Sequence, residues 1–218
     1  EYRIQTCKNY GANIIFTNPK QAFLDAENAK NEGYYFIHPF DGPLTLQGSA
    51  TLGLEIVEYL KSINSNIDNL LISVGGGGLI SGVSSYVKQF YPKIRIIGVE
   101  PENANGLSQS FVANKPLNNV KVNSIADSLS APLHMQYSFD VAKEVIDEMV
   151  TVSDDQMKEF MVFCYKKFKL FLEPACVAGL AALKYKINNE INGKNTMVIL
   201  CGSNIDKKSW VNLTNQSG

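Results

Sequence analysis

Four consecutive glycines, Gly75-Gly76-Gly77-Gly78, follow the run Leu70-Leu71-Ile72-Ser73-Val74 and precede apolar positions at Leu79, Ile80, Val83, Val87 and Phe90. The run reads as a buried strand and the spaced positions as one face of a helix. A glycine-rich turn between the two is an anion cradle. Without Cβ atoms the backbone can take positive φ and come close to a ligand. The helix start adds unpaired N–H groups and the positive end of its dipole. The chemistry on offer is phosphate binding. A Cβ at Gly77 is expected to stand where the ligand must approach. A second turn, Gly202-Ser203-Asn204, closes the run Thr196–Cys201 in the same way.

The elements that must position these turns alternate along the chain. Residues 3–10 read as a helix, 13–16 as a short strand, 20–31 as a helix and 34–37 as a strand. Pro39, Gly42 and Pro43 mark 38–45 as a loop. Residues 49–63 form an amphipathic helix, followed by the strand over 70–74 and the helix over 79–90. Residues 94–99 are a strand, and 101–123 are polar and irregular. A strand over 149–152 leads to Ser153, which has Gln156 three residues on, a capping box for a helix running to about Leu170. An Ala-rich helix over 175–188 and a strand over 196–201 complete the pattern. Alternating strands and helices predict an α/β fold: a mostly parallel, twisted sheet covered by helices. Ligands bind at the carboxyl ends of such strands, where both glycine turns fall.

Composition narrows the classes. A chain of 218 residues fits one large domain or one and a part, and 45% hydrophobic residues suffice for a real core. A net charge of −1 leaves no electrostatic footprint for nucleic acid or an anionic membrane. No apolar run is long enough to span a bilayer. Cys7, Cys164, Cys176 and Cys201 show no C-x-x-C spacing, so neither a zinc nor a redox motif is expected, and a reducing compartment, the cytoplasm, is the default.

Two readings of the glycine turn follow. In the first, Gly76, Gly78 and Gly82 form a variant dinucleotide fingerprint, with Glu100 at the end of the next strand as the ribose-binding acid. That would make a nicotinamide oxidoreductase. The second rests on eight motifs in order: Tyr10-Gly11-Ala12, His38-Pro39-Phe40-Asp41, Gly48 with Thr51, Val74 to Leu79, Gly98-Val99-Glu100-Pro101, Ile125 to Pro132, Leu172-Glu173-Pro174-Ala175 and Leu200 to Asp206. Together they span almost the whole chain. In these it resembles the fold-type-II, tryptophan-synthase-β-like pyridoxal-phosphate enzymes, in the branch of threonine/serine dehydratases and serine racemases.

The resemblance implies roles residue by residue. Gly75, Gly76, Gly77, Gly78 and Leu79 would hold the phosphate of pyridoxal 5'-phosphate. Cys201 falls where the family places a Ser, Thr or Cys facing the pyridine nitrogen. A thiol is a weak donor, which leaves that nitrogen unprotonated and suits β-elimination. Glu173 would lie near the cofactor ring, with Ser203 and Asn204 supporting the loop of Cys201. The implied activity is a threonine/serine dehydratase, an ammonia-lyase that turns a hydroxy amino acid into a 2-oxo acid and ammonia. A racemase is the alternative within the family. The implied partners are a small amino-acid substrate and a second copy or the preceding segment of the chain, with neither nucleic acid nor membrane.

The family's Schiff-base lysine and its substrate-carboxylate loop lie upstream of every motif found here. Arg3 and Arg95 are the only arginines, and Lys93-Ile94-Arg95 leads into a strand as a solvated charge pair. The start, Glu1-Tyr2-Arg3, reads as a chain entered part-way, with the catalytic lysine expected before Glu1 and the chain alone expected to be inactive. Residues 1–45 would then be a remnant of the small capping domain and 46–218 most of the large one. Glu100 matches a divalent-cation ligand of the racemase branch. Gly106 stands where a further acid belongs, so no metal is expected. Ser49-Ala50 departs from the family's usual Gln-Gly. His38, His134, Asp127 and Trp210 read as structural, and Cys7, Cys164 and Cys176 as small core hydrophobes.

Overall fold

The computed structural model describes residues 2–215. The chain divides into two units, Glu1–His38 and Pro39–Gly218.

The first unit carries helices α1 (Tyr2–Asn9) and α2 (Pro19–Ala29). Asn18 caps α2 by accepting from the Gln21 amide at 3.0 Å. The expected strands over 13–16 and 34–37 are extended chain without a ladder, and no strand occurs among the described residues of this unit. Ile15, Tyr34, Tyr35 and Ile37 are each more than 65% exposed. Apolar alternation marks a chain fit for a sheet, but a strand exists only where a neighbour takes its hydrogen bonds. Cys7 is exposed on α1, which buries no residue, so it is no core hydrophobe. His38 packs between the rings of Phe23 and Phe36.

The second unit is a four-stranded parallel sheet, β1 (Asn69–Ser73), β2 (Arg95–Pro101), β3 (Glu148–Val152) and β4 (Thr196–Val198), in the order β3-β2-β1-β4. Parallel strands need crossovers, and helices supply them: α3 (Pro43–Ser62) leads into β1, and α4 (Gly78–Phe90) joins β1 to β2. Next come α5 (Gly106–Ala113) and α6 (Gln136–Val145) before β3, α7 (Asp154–Phe168) and α8 (Ala178–Tyr185) before β4, and α9 (Lys207–Thr214) last. Side chains of β1 alternate between two cores. Leu70 and Ile72 pack with α3, α4 and α6, whereas Leu71 packs with α7, α8 and Trp210 of α9. Both faces of the sheet are therefore covered, which is why β1 reads as an unbroken apolar run.

Several elements differ from their expected bounds. Helix α3 begins at Pro43, inside the expected loop, because proline suits the first helical position, where no N–H partner is needed. Helix α5 lies within the region expected to be irregular. Its sequence, GLSQSFVA, carries too few apolar residues to show a period. The capping box at Ser153 and Gln156 is present, with both bonds formed. Arg95 pairs with Glu148 and Glu190 at the start of β2, the end of the sheet away from Gly75. No helix among the described residues is long and apolar enough to cross a membrane.

Candidate functional site

Strand β1 ends at Ser73, and Val74 still bonds β2 through its amide to the Val99 carbonyl at 2.8 Å. The chain then turns through Gly75, Gly76 and Gly77 into α4. Gly77 caps the helix with φ +92°, and no side chain caps it. Ser81 donates to the Gly77 carbonyl at 3.0 Å. Among the described residues, the amides of Gly76, Gly77, Gly78, Leu79 and Ile80 donate to no protein acceptor. Gly77, Gly78 and Ile80 are buried. Buried amides without acceptors are costly, and these three, with the half-buried amides of Gly76 and Leu79, form at a helix N-terminus an arrangement that can hold an anion.

The glycines are required by different constraints. A Cβ on Gly76 would fall 2.2 Å from Cγ of Phe40, and one on Gly78 would fall 2.6 Å from the Phe40 carbonyl oxygen. One on Gly75 would meet the Ser128 carbonyl at 2.9 Å. At Gly77 the nearest atom would be Leu107 Cδ2 at 3.9 Å, so its positive φ, not crowding, excludes a side chain. The loop carrying Phe40 is held in turn by Asp41, whose Oδ1 accepts from the Ser138 amide in the first turn of α6 at 2.7 Å.

Strand β4 runs parallel to β1 with Leu71 opposite Val198, and the Ile199 amide continues the pairing to the Leu71 carbonyl at 3.1 Å. Three residues beyond that register pair lie Val74 on one strand and Cys201 on the other, so both glycine turns leave the same edge of the sheet. Glu173 precedes the 3-10 turn Pro174–Val177, and its amide donates to the Gly202 carbonyl. Its carboxylate lies along Gly202, where a Cβ would come within 2.3 Å of Oε1. Cys176 sits buried on that 3-10 turn, with its thiol next to that of Cys201. The Cys176 thiol holds the Cys201 thiol below its usual range, while the same contact and burial push Cys176 up. Cys201 is exposed and Cys176 buried. Iodoacetamide at neutral pH is therefore expected to label Cys201 well before Cys176, as peptide mapping by mass spectrometry would show; equal labelling would contradict the asymmetry.

The remaining expected residues have structural settings. Asp127 Oδ1 accepts from the Ser128 amide and starts a 3-10 turn that packs on Gly75. Trp210 is buried against Phe171 and Tyr165. Ser203 accepts from the Ile205 amide through its carbonyl, and Asp206 caps α9. Glu100 is buried, and its carboxylate accepts from the amides of Leu107 and Ser108 and from Ser108 Oγ, at 2.8, 3.0 and 2.5 Å. It thus replaces a cap for α5 from a distance. Burial raises its pKa, against those three bonds. Sequence reasoning missed this use of Glu100, the capping of α6 by Asp41 and the wall made by Phe40. The motifs Gly98-Val99-Glu100-Pro101 and His38-Pro39-Phe40-Asp41 were their only signals.

A model of the pyridoxal-phosphate dependent enzyme family matches residues 1–202. The chain belongs to that family. This decides between the two readings of the chain in favour of a pyridoxal-phosphate enzyme over a nicotinamide oxidoreductase. Among curated relatives, a phenylserine dehydratase of Ralstonia pickettii is 39% identical over 95% of this chain and 63% of its own length. A catabolic L-threonine dehydratase of Staphylococcus aureus is 33% identical over 93% of this chain and 59% of its own. The chain thus spans about three fifths of the length of these relatives. Among solved structures, maize serine racemase superposes with a TM-score of 0.86 at 28% identity, covering 98% of this chain and 66% of that one.

Proposed function

We propose that this chain is the cofactor-holding part of a pyridoxal-phosphate-dependent ammonia-lyase acting on a β-hydroxy-α-amino acid, in the cytoplasm. The observation that carries it is the row of unpaired amides from Gly76 to Ile80 at the carboxyl edge of the sheet, beside the Cys201 thiol. The two sites fit the two ends of the cofactor. Amides and helix dipole suit the phosphate, and a weak sulfur donor suits the pyridine nitrogen. Bound there, the cofactor would supply the electron sink that lets an amino acid lose its Cα proton and β-hydroxyl.

The protein's own residues then hold and orient. Gly75 to Gly78 and Leu79 would hold the phosphate end, and the turn at Cys201, which leaves the same end of the sheet, would serve the ring end. A thiol does not force a proton onto the ring nitrogen, whereas a carboxylate would. A neutral thiol at that place would suit elimination of the hydroxyl. Glu173 keeps Gly202 and the Cys201 turn in place. By this reading residues 1–45 belong to a capping domain and 46–218 to the large domain. The substrate class follows the named relatives: threonine, or a bulkier hydroxy acid such as phenylserine. A homodimer is the expected assembly.

The test is to give the full-length protein pyridoxal phosphate with L-threonine, L-serine or L-phenylserine, and to follow 2-oxo acid and ammonia. Stoichiometric release of both from at least one substrate is expected. Conversion of L-serine to D-serine without ammonia would favour the racemase. Failure of pyridoxal phosphate to bind at all would overturn the reading.

A further inference from the structure

His134 is 4% exposed and sits between the 3-10 turn at 127–129 and α6. Its amide donates to the Leu117 carbonyl at 2.7 Å, which fixes its backbone. Its ring reaches across to the glycine turn, where Nε2 lies 3.1 Å from the Gly75 carbonyl oxygen. A carbonyl only accepts, so Nε2 carries the proton. Nδ1 is then a bare lone pair, buried and with no partner among the described residues. An imidazole that leaves one nitrogen unserved in the interior is a costly filler. An apolar side chain would fill the space more cheaply. The start of α5 is shaped around the ring, since a Cβ on Gly106 would fall 2.5 Å from Cε1. What the imidazole adds over an apolar residue is its one bond to Gly75.

That bond falls on the carbonyl next to the cradle. A peptide unit is planar and trans, so its C=O and its N–H point in opposite directions. Holding the Gly75 oxygen therefore sets the direction of the Gly76 N–H. The turn needs such a restraint, because glycine is the residue with most backbone freedom to lose. We propose that His134 is a positioning residue for the phosphate loop: its Nε2–H anchors the Gly75 carbonyl and aims the Gly76 N–H into the anion cradle before the ligand arrives. This rests on the cofactor reading given above. Preorganisation of this kind raises affinity by lowering the cost of ordering on binding.

The experiment compares His134→Leu, His134→Asn and His134→Gln in the full-length protein without cofactor. Gln carries its amide nitrogen out to where Nε2 stands, whereas Asn reaches only as far as Nδ1, and Leu has no donor. The probes are inorganic phosphate, pyridoxal phosphate and pyridoxal, titrated calorimetrically. Wild type binds both phosphates. Leu and Asn are expected to weaken both by about tenfold, the worth of one hydrogen bond, and Gln to stay within about threefold of wild type. Pyridoxal, which has no phosphate, should bind all four proteins alike. If Leu does not fold, the contrast between Asn and Gln carries the test. Equal affinity in Asn and Gln, or loss of pyridoxal binding in step with phosphate, would overturn the positioning role. A wild type that binds neither phosphate would overturn the cofactor reading itself, and the proposal with it.

Discussion

Gly78→Ala is expected to weaken phosphate and pyridoxal phosphate binding by about a hundredfold, the worth of two charge-assisted hydrogen bonds. Helix propensity alone predicts the opposite sign for stability, since alanine is favoured over glycine inside a helix by about 1 kcal/mol. Contact geometry decides otherwise. The new Cβ would stand 2.6 Å from the Phe40 carbonyl oxygen and 2.8 Å from its Cα, and neither backbone atom can swing aside. Either α4 or the Phe40 loop must move, at a cost of about 1–3 kcal/mol typical of overpacking. Gly77 gives the contrast. Gly77→Asn meets no protein atom closer than 3.9 Å and accepts a positive φ more readily than a β-branched residue, so it should weaken phosphate binding less than Gly77→Val. Titration with inorganic phosphate, beside thermal melts, separates the two effects. Wild-type affinity in Gly78→Ala would show that the first turn of α4 is not the cradle.

Glu100→Ala is expected to destabilise the protein by about 2–5 kcal/mol, because it leaves the Leu107 and Ser108 amides and the Ser108 hydroxyl without their acceptor at a buried helix start. Glu100→Gln should cost less at neutral pH, since one oxygen remains. The pH profile checks the mechanism. The folded protein holds Glu100 with a raised pKa, so it binds a proton more readily than the unfolded chain, whose value is near 4.5. Stability from this group is therefore fullest below 4.5 and is lost as pH rises through the folded value. Glu100→Gln should abolish that slope. His134 acts in the opposite sense: burial lowers its pKa, so its contribution is full above 6.5 and falls as pH drops. Urea melts between pH 4 and 8 would resolve the two. An unchanged profile in Glu100→Gln would mean the carboxylate is not the group that titrates.

The parts of the fold that were legible are those where one local pattern had no competitor. The apolar run at 70–74, the four glycines and the Ser153–Gln156 box each map onto an element within a residue or two. Their physics is local: burial on both faces, positive φ, and side chain to amide capping. The illegible parts depend on distant partners. Helix α5 stands on a carboxylate that reaches it from β2, and α6 is capped by Asp41, 97 residues before Ser138. Residues 13–16 and 34–37 carry strand-like composition, but no ladder forms there. In the site, the glycine turn before α4 could be read from its own residues alone. His134 could not, because nothing in Pro132-Leu133-His134-Met135 hints that its ring crosses to Gly75.

The pairing of β1 with β4 also sets an order of assembly. The glycine turn joins two elements adjacent in the chain, and its partners Phe40, Ser128 and His134 all precede β4. The thiol side lies beyond β4. Asn69 and Thr196, hydrogen-bonded side chain to side chain, are 127 residues apart, and closing so long a loop is slow. The glycine turn is therefore synthesised well before Cys201. A chain that stops short of Thr196 contains the glycine turn but neither Cys201 nor the strand that leads to it.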